Sequence, residues 1–139
     1  MTMTMPARDL DRLSRSGLTT ADLENIDDDL SGRTVYGRLG EEIGTVDDVL
    51  VDSAQLRAPF LVVTCGGVLG IGKQQRLVPV EAIDRVTPEG VYLNCDKPLV
   101  TNAPAYQDSL EGEDAGLHYG QVYDAFGITP YWQTEQPTA

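Results

Sequence analysis

Few residues in this chain could do chemistry. There is one histidine, His118, and two cysteines, Cys65 and Cys95. Adjacent carboxylates occur at Asp47-Asp48 and in the run Asp27-Asp28-Asp29. A hydrolase or transferase needs a nucleophile with a base, or a metal. His118 follows an acidic stretch and no neighbour in sequence would orient it, so it reads as a packing or surface histidine. Asp47 and Asp48 lie in a strand pattern, where successive side chains face opposite ways unless a bulge intervenes, so the pair is not expected to share a proton. The Asp27–Asp29 run lacks the alternating ligands and glycine of a calcium loop and reads as a solvated cap. Cys65 and Cys95 fit no metal or redox spacing and read as small buried hydrophobes at strand ends. The loop Gly66-Gly67-Val68-Leu69-Gly70-Ile71-Gly72-Lys73 resembles a phosphate cradle only in its glycines. No Lys-Ser or Lys-Thr follows them, and the next element reads as a strand rather than a helix. These residues point to a non-enzyme with no cofactor and no metal.

Charge narrows the partners. The 139 residues carry 22 acids against 10 bases, a net charge of −12. No Lys or Arg follows Lys97. Nucleic acid and anionic lipid are bound through clustered Lys and Arg, so direct contact with either is disfavoured and a cationic or neutral protein partner is easier to accommodate. The longest apolar run, Pro59–Val63, is far too short to span a bilayer, and the N-terminus has no signal-peptide core. A cytoplasmic protein is expected.

The elements that must position these groups are strands. Between Gly32 and Asp96 the pattern predicts strands at Arg33–Gly37, Ile43–Asp52, Phe60–Cys65, Arg76–Val80, Asp84–Thr87 and Val91–Asp96, separated by turn residues. That density predicts a mainly β protein, a small antiparallel barrel with short helical flanks. Ile43, Val49 and Val51 are odd-numbered but Val46 is even, which argues for a bulge between Gly44 and Asp48. Before the barrel, residues 1–18 read as a flexible arm, and a short helix starts with Thr20 as its cap. The barrel domain runs over 19–106. Residues 107–118 read as an acidic linker, and 119–139 as an aromatic C-terminal segment. Tyr119, Val122, Tyr123 and Phe126 recur at helical spacing, with Gly127 placed to end the helix.

Gly32–Tyr36, Gly40–Asp52, Phe60–Val63 and Leu77–Ile83, taken in order, resemble the PRC-barrel family, and Ala103-Pro104-Ala105-Tyr106 is similar to an element its members often carry. The family includes the cytoplasmic domain of the photosynthetic reaction centre H subunit, the C-terminal domain of the ribosome maturation factor RimM, and stand-alone bacterial and archaeal proteins. The resemblance implies a compact β-barrel that serves as an adaptor or assembly module and has no catalytic residues in common. With no transmembrane helix and no RimM-type preceding domain, neither of those two specific roles is expected.

Phe60–Val63 and Val49–Val51 are apolar at every position, so both faces of these strands must be covered. Leu50, Phe60 and Val62 are the set expected to leave the barrel interior. With the loop residues Val68, Leu69 and Ile71 and the aromatics Tyr119, Tyr123, Phe126, Tyr131 and Trp132, they form the expected interaction surface. A homodimer across that outer face, docking a further protein, is the leading expectation. If the chain's own flanks suffice to cover the face, the chain stands alone. The alternative class is a small-ligand or metal-binding stress or regulatory protein.

Overall fold

The computed structural model describes residues 10–24, 26, 29–52, 56–65, 74–106 and 112–130. Its frame is a seven-stranded sheet: β1 (Leu10–Arg12), β2 (Thr34–Tyr36), β3 (Glu42–Asp52), β4 (Arg57–Cys65), β5 (Gln74–Pro79), β6 (Ile83–Thr87) and β7 (Gly90–Leu93). The main path runs β5-β4-β3-β2-β7-β6, with β1 paired to β3 off that path. The sheet curls around a core of aliphatic side chains but is not closed. Its two ends are β5 and β6, which a 3-10 turn at Val80–Ala82 joins in sequence.

One pairing corrects the antiparallel expectation. β2 and β7 run parallel, with Val35 opposite Val91, while the other pairs are antiparallel. β3 already occupies one side of β2 through a tight turn. The free side is taken by the second strand of the β6–β7 hairpin, which happens to run in the direction of β2.

The parity break in β3 has a physical cause on each side of Val46. Toward β4, Val46 pairs with Val63 and Asp48 with Val62, so Asp47 is an extra, bulged residue. Toward β2, the register slips between Val35 and Tyr36, passing over Ile43. Two irregularities are needed because the buried set must leave odd numbering and return to it: Ile43, Val46, Val49 and Val51 all reach the same core. A second slip between β3 and β4 falls across Ala58-Pro59, a place in a strand that tolerates proline. It puts Ala58 on the same face as Leu61, Val63 and Cys65.

Gly44 faces Cys65 of β4, and a Cβ there would run into the Thr64 carbonyl oxygen. The strands approach more closely at this point than a side chain allows.

Both flanks are more ordered than expected. The stretch Leu10–Ser16, placed in a loose arm by sequence, forms β1 and a helical turn, α1 (Leu13–Ser16). β3 outruns the three-residue β2, so its end at Leu50–Asp52 has a vacant ladder that β1 fills. The predicted short helix is a single 3-10 turn, Thr20–Asp22. Its cap is Thr19 rather than Thr20: Thr19 N–H donates to the Asp22 carboxylate at 2.8 Å, and Asp22 N–H donates back to the Thr19 carbonyl. Leu23 and Ile26 follow it into the core. A short helix, α2 (Lys97–Thr101), leads from β7 toward Tyr106.

The last element, α3 (Gly112–Ala125), begins inside the stretch that reads as linker. It ends as expected at Gly127, which has φ 68°, while Ile128 N–H reaches back to the Tyr123 carbonyl at 3.0 Å.

Candidate interaction surfaces

The first question is what covers the outer face of β3, β4 and β5. Leu50, Phe60, Val62 and Leu77 point away from the barrel core and gather in a second apolar cluster with Ala115, Tyr119, Val122 and Tyr123 of α3. Leu10, Tyr106, Phe126 and Ile128 close its margin. Leu50 is 1 % exposed, and Phe60 and Val62 are fully buried. Phe60 lies against the rings of Tyr123 and Tyr119, centroids 4.8 and 5.6 Å away. Each large apolar side chain covered in this way contributes roughly 1.5–3 kcal/mol.

The expected surface of Leu50, Phe60, Val62, Tyr119 and Tyr123 is therefore an internal seam. The alternation read from sequence is correct, but α3 of the same chain supplies the cover, and Phe126 is half-buried at its edge. Val68, Leu69, Ile71, Tyr131 and Trp132 lie outside the described residues.

A polar seam borders the apolar one. The side chain of Arg12, on β1, donates to Asp47 at 3.3 Å and to Gln75 at 3.1 Å, lies 3.9 Å from Asp48, and stands over the Tyr106 ring. Gln75 in turn donates to Asp47 at 2.6 Å. Asp48 is buried. It accepts the Ser14 hydroxyl at 2.6 Å and its own neighbour's amide, Val49 N–H, at 2.8 Å. Both carboxylates therefore lie beside Arg12: exposed Asp47 accepts from Arg12 and Gln75, and buried Asp48, opposite Val62, accepts from Ser14 and Val49. Beside Asp48 is a cleft of about 470 Å³ edged by Leu13, Leu18, Thr19 and Asp29.

The remaining reactive groups are enclosed. His118 is 3 % exposed, between Tyr106 and Tyr119, and burial lowers its pKa from the usual histidine value. Burial pushes both thiols up, Cys65 and Cys95 alike, and neither is in a disulfide. Among the described residues no three His, Cys, Asp or Glu side chains gather as metal ligands, and no helix is long and apolar enough to cross a membrane.

The other end of the sheet carries a feature the sequence reading missed. Tyr36 of β2 lies opposite Tyr92 of β7, with rings stacked at 4.9 Å, and Tyr92 lies opposite Arg85 of β6, whose guanidinium stands 4.2 Å over the ring. The three form a row across three strands. Gly90 makes room for it, since a Cβ there would press on the Tyr36 ring and the Thr34 carbonyl. Arg85 and Arg38 share a cleft of about 290 Å³ with Tyr92, Asp84 and Asn94. The turn bearing Arg38 is braced by Glu41, which accepts the amides of Leu39 at 3.0 Å and Lys97 at 3.2 Å. Main-chain hydrogen bonds, led by its own amide, hold the Glu41 carboxyl below its usual range. Arg85 and Tyr92 are paired by the local β6–β7 hairpin, but Tyr36 is far from both in sequence and each sits in an ordinary strand pattern. Only the parallel β2–β7 pairing adds Tyr36 to the row.

The family model for the PRC-barrel domain matches residues 24–98. No curated protein matches the chain.

Proposed function

The chain belongs to the PRC-barrel domain family, and from that membership and the geometry above we propose that it is a non-catalytic, cytoplasmic protein-interaction module acting as an adaptor. The observation that carries this reading is the row Tyr36–Tyr92–Arg85 at an open end of a sheet whose other apolar faces are buried within the chain. Half-buried tyrosines flanked by an exposed arginine on a strand platform are well suited to holding a protein partner.

Several groups speak for a non-catalytic role. Asp48 is engaged by Ser14 and Val49, His118 is enclosed on the buried side of α3 beside Tyr106, and the thiols are buried with raised pKa values, which keeps them protonated. Two reduced, buried cysteines also suit a reducing compartment.

The homodimer expected from sequence rested on an uncovered Leu50–Phe60–Val62 face. With α3 over that face, the module is proposed to act as a single chain that engages a different protein. Light scattering at micromolar concentration is expected to return the 15.1 kDa chain mass. A doubled mass would restore the twofold arrangement. A thermal-shift panel separates the alternative class: calcium, magnesium and nucleotides are expected to leave the melting midpoint unchanged. A rise of several degrees with one of them would favour a ligand-binding regulator. Turnover in a broad activity screen that disappears in His118→Ala with the fold intact would overturn the non-catalytic reading.

A further inference from the structure

We infer that the outer edge of β6 is a strand-addition site, which receives an extended segment of a partner protein carrying an acidic residue opposite Arg85. The inference rests on the interaction-module reading and specifies which surface does the work.

β6 ends the sheet path, and among the described residues no strand pairs with its outer side. Asp84, Arg85 and Val86 are consecutive and all exposed, Val86 at 39 %. A sheet edge presents main-chain N–H and C=O groups that another strand can pair with; β6 is bulged at Asp84 against β7, but Arg85–Thr87 beyond the bulge are regularly paired and the strand contains no proline. At the opposite end of the sheet β5 is partly closed: Arg76 bridges to Ala105, and Tyr106 N–H donates to the Gln75 carbonyl. The two ends are therefore unequal, and β6 is the open one.

The side chains define the occupant. Cross-strand partners share a face, so an added strand would extend the row Tyr36–Tyr92–Arg85 by one residue. Arg85 has an aromatic face on one side and solvent on the other, with its side chain 61 % exposed. Arg38, equally exposed, edges the same cleft. Their nearest carboxylates, Asp84 at 3.5 Å and Asp96 at 2.9 Å, form exposed pairs of the kind that exchange easily. A carboxylate entering beside Arg85 would meet two guanidiniums and the wall of Tyr92. The −12 charge of the chain does not prevent this, because repulsion from distant acids is screened within about 8 Å at physiological salt.

A second copy fits poorly. A twofold antiparallel pairing that overlaps the whole of Ile83–Thr87 sets Arg85 opposite Arg85, and like charges directly opposite each other are destabilising. The edge discriminates against itself and in favour of an acidic strand from another protein.

The test is selection from a displayed library of random linear peptides against the immobilised full chain, followed by hydrogen exchange on the complex. Enriched peptides are expected to share one acidic position flanked by β-branched residues. They should bind Arg85→Glu at least about tenfold more weakly, the usual scale for reversing one charge of a close interfacial pair. Binding should slow amide exchange at Asp84–Val86, which a purely electrostatic contact with the arginines would not do. Arg85→Lys checks the variant's fold and keeps the charge, and it should retain most of the affinity. An absence of enriched peptides, peptides that bind Arg85→Glu as well as wild type, or protection confined to other elements would each overturn the edge site. In the last two cases a peptide is still bound, so the interaction-module reading would survive the loss of this surface.

Discussion

At the residue scale, two positions report directly on packing, one in the barrel and one on α3. Gly44 is one, because the Thr64 carbonyl occupies the space of its Cβ. Gly44→Val is expected to destabilise the fold by more than ~1 kcal/mol, since overfilling a closely packed site forces the backbone to move. A chemical-denaturation curve matching wild type would reject the close approach. His118 is the other. Its pKa is lowered by burial, so the unfolded chain takes up a proton at a higher pH than the folded chain does. Stability is therefore full above the unfolded value near 6.5 and falls as pH drops through that value toward the folded one. Melting midpoints taken from about pH 8 down to about pH 5, the range of histidine titration, should decline more steeply for wild type than for His118→Gln. Parallel declines would mean that His118 does not contribute.

At the element scale, α3 decides what the outer barrel face can do. Its buried stripe, Ala115, Tyr119, Val122 and Tyr123, fits onto Leu50, Phe60, Val62 and Leu77 as one side of a seam. Phe60→Ala removes the ring at the centre of that seam, and a loss of roughly 3–5 kcal/mol is expected by analogy with other buried phenylalanines. Deletion from Gly112 onward should leave a barrel that aggregates or binds a hydrophobic dye, because an apolar patch of that size is exposed. A truncated chain that stays monomeric and melts like the full one would show that the seam is dispensable. β1 belongs to the same design from the other terminus. Leu10 closes the apolar margin, and Arg12 ties β1 to the Asp47 bulge, Gln75 and Tyr106. Residues on both sides of the matched span 24–98 thus meet over one face of the barrel.

For the whole molecule, the open sheet gives the two ends different fates. The β5 end is bridged by Ala105 and Tyr106, while the β6 end presents its ladder, Arg85 and the cleft it shares with Arg38. Arg85→Glu is accordingly expected to change partner binding while shifting the melting midpoint little, as surface substitutions away from buried contacts usually do, within about 0.5 kcal/mol. A large loss of stability in that variant would instead assign Arg85 a structural role through its contact with Tyr92. The two outcomes separate by differential scanning fluorimetry before any binding experiment.

The sequence by itself determined the local elements. Short apolar runs between turn residues placed β3, β4 and β5, the even-numbered Val46 located the bulge, and helical spacing from Tyr119 to Phe126 with Gly127 found the end of α3. These signals are local because each depends on a few consecutive side chains choosing one face. The start of α3 was not legible. Gly112, Gly116 and Gly120 weaken helix propensity, and the acids around them read as linker, so the helix owes its length to packing on Phe60 and Val62. Only the tertiary structure decided the parallel β2–β7 pairing, the capture of β1 by the free end of β3, and the choice between a second chain and α3 as the cover for Leu50. Each of these joins segments distant in sequence, and alternation says that a face is apolar without saying what will bury it. The same holds for Tyr36: it joins the Arg85–Tyr92 pair of the β6–β7 hairpin in one row because β7 returns to lie beside β2.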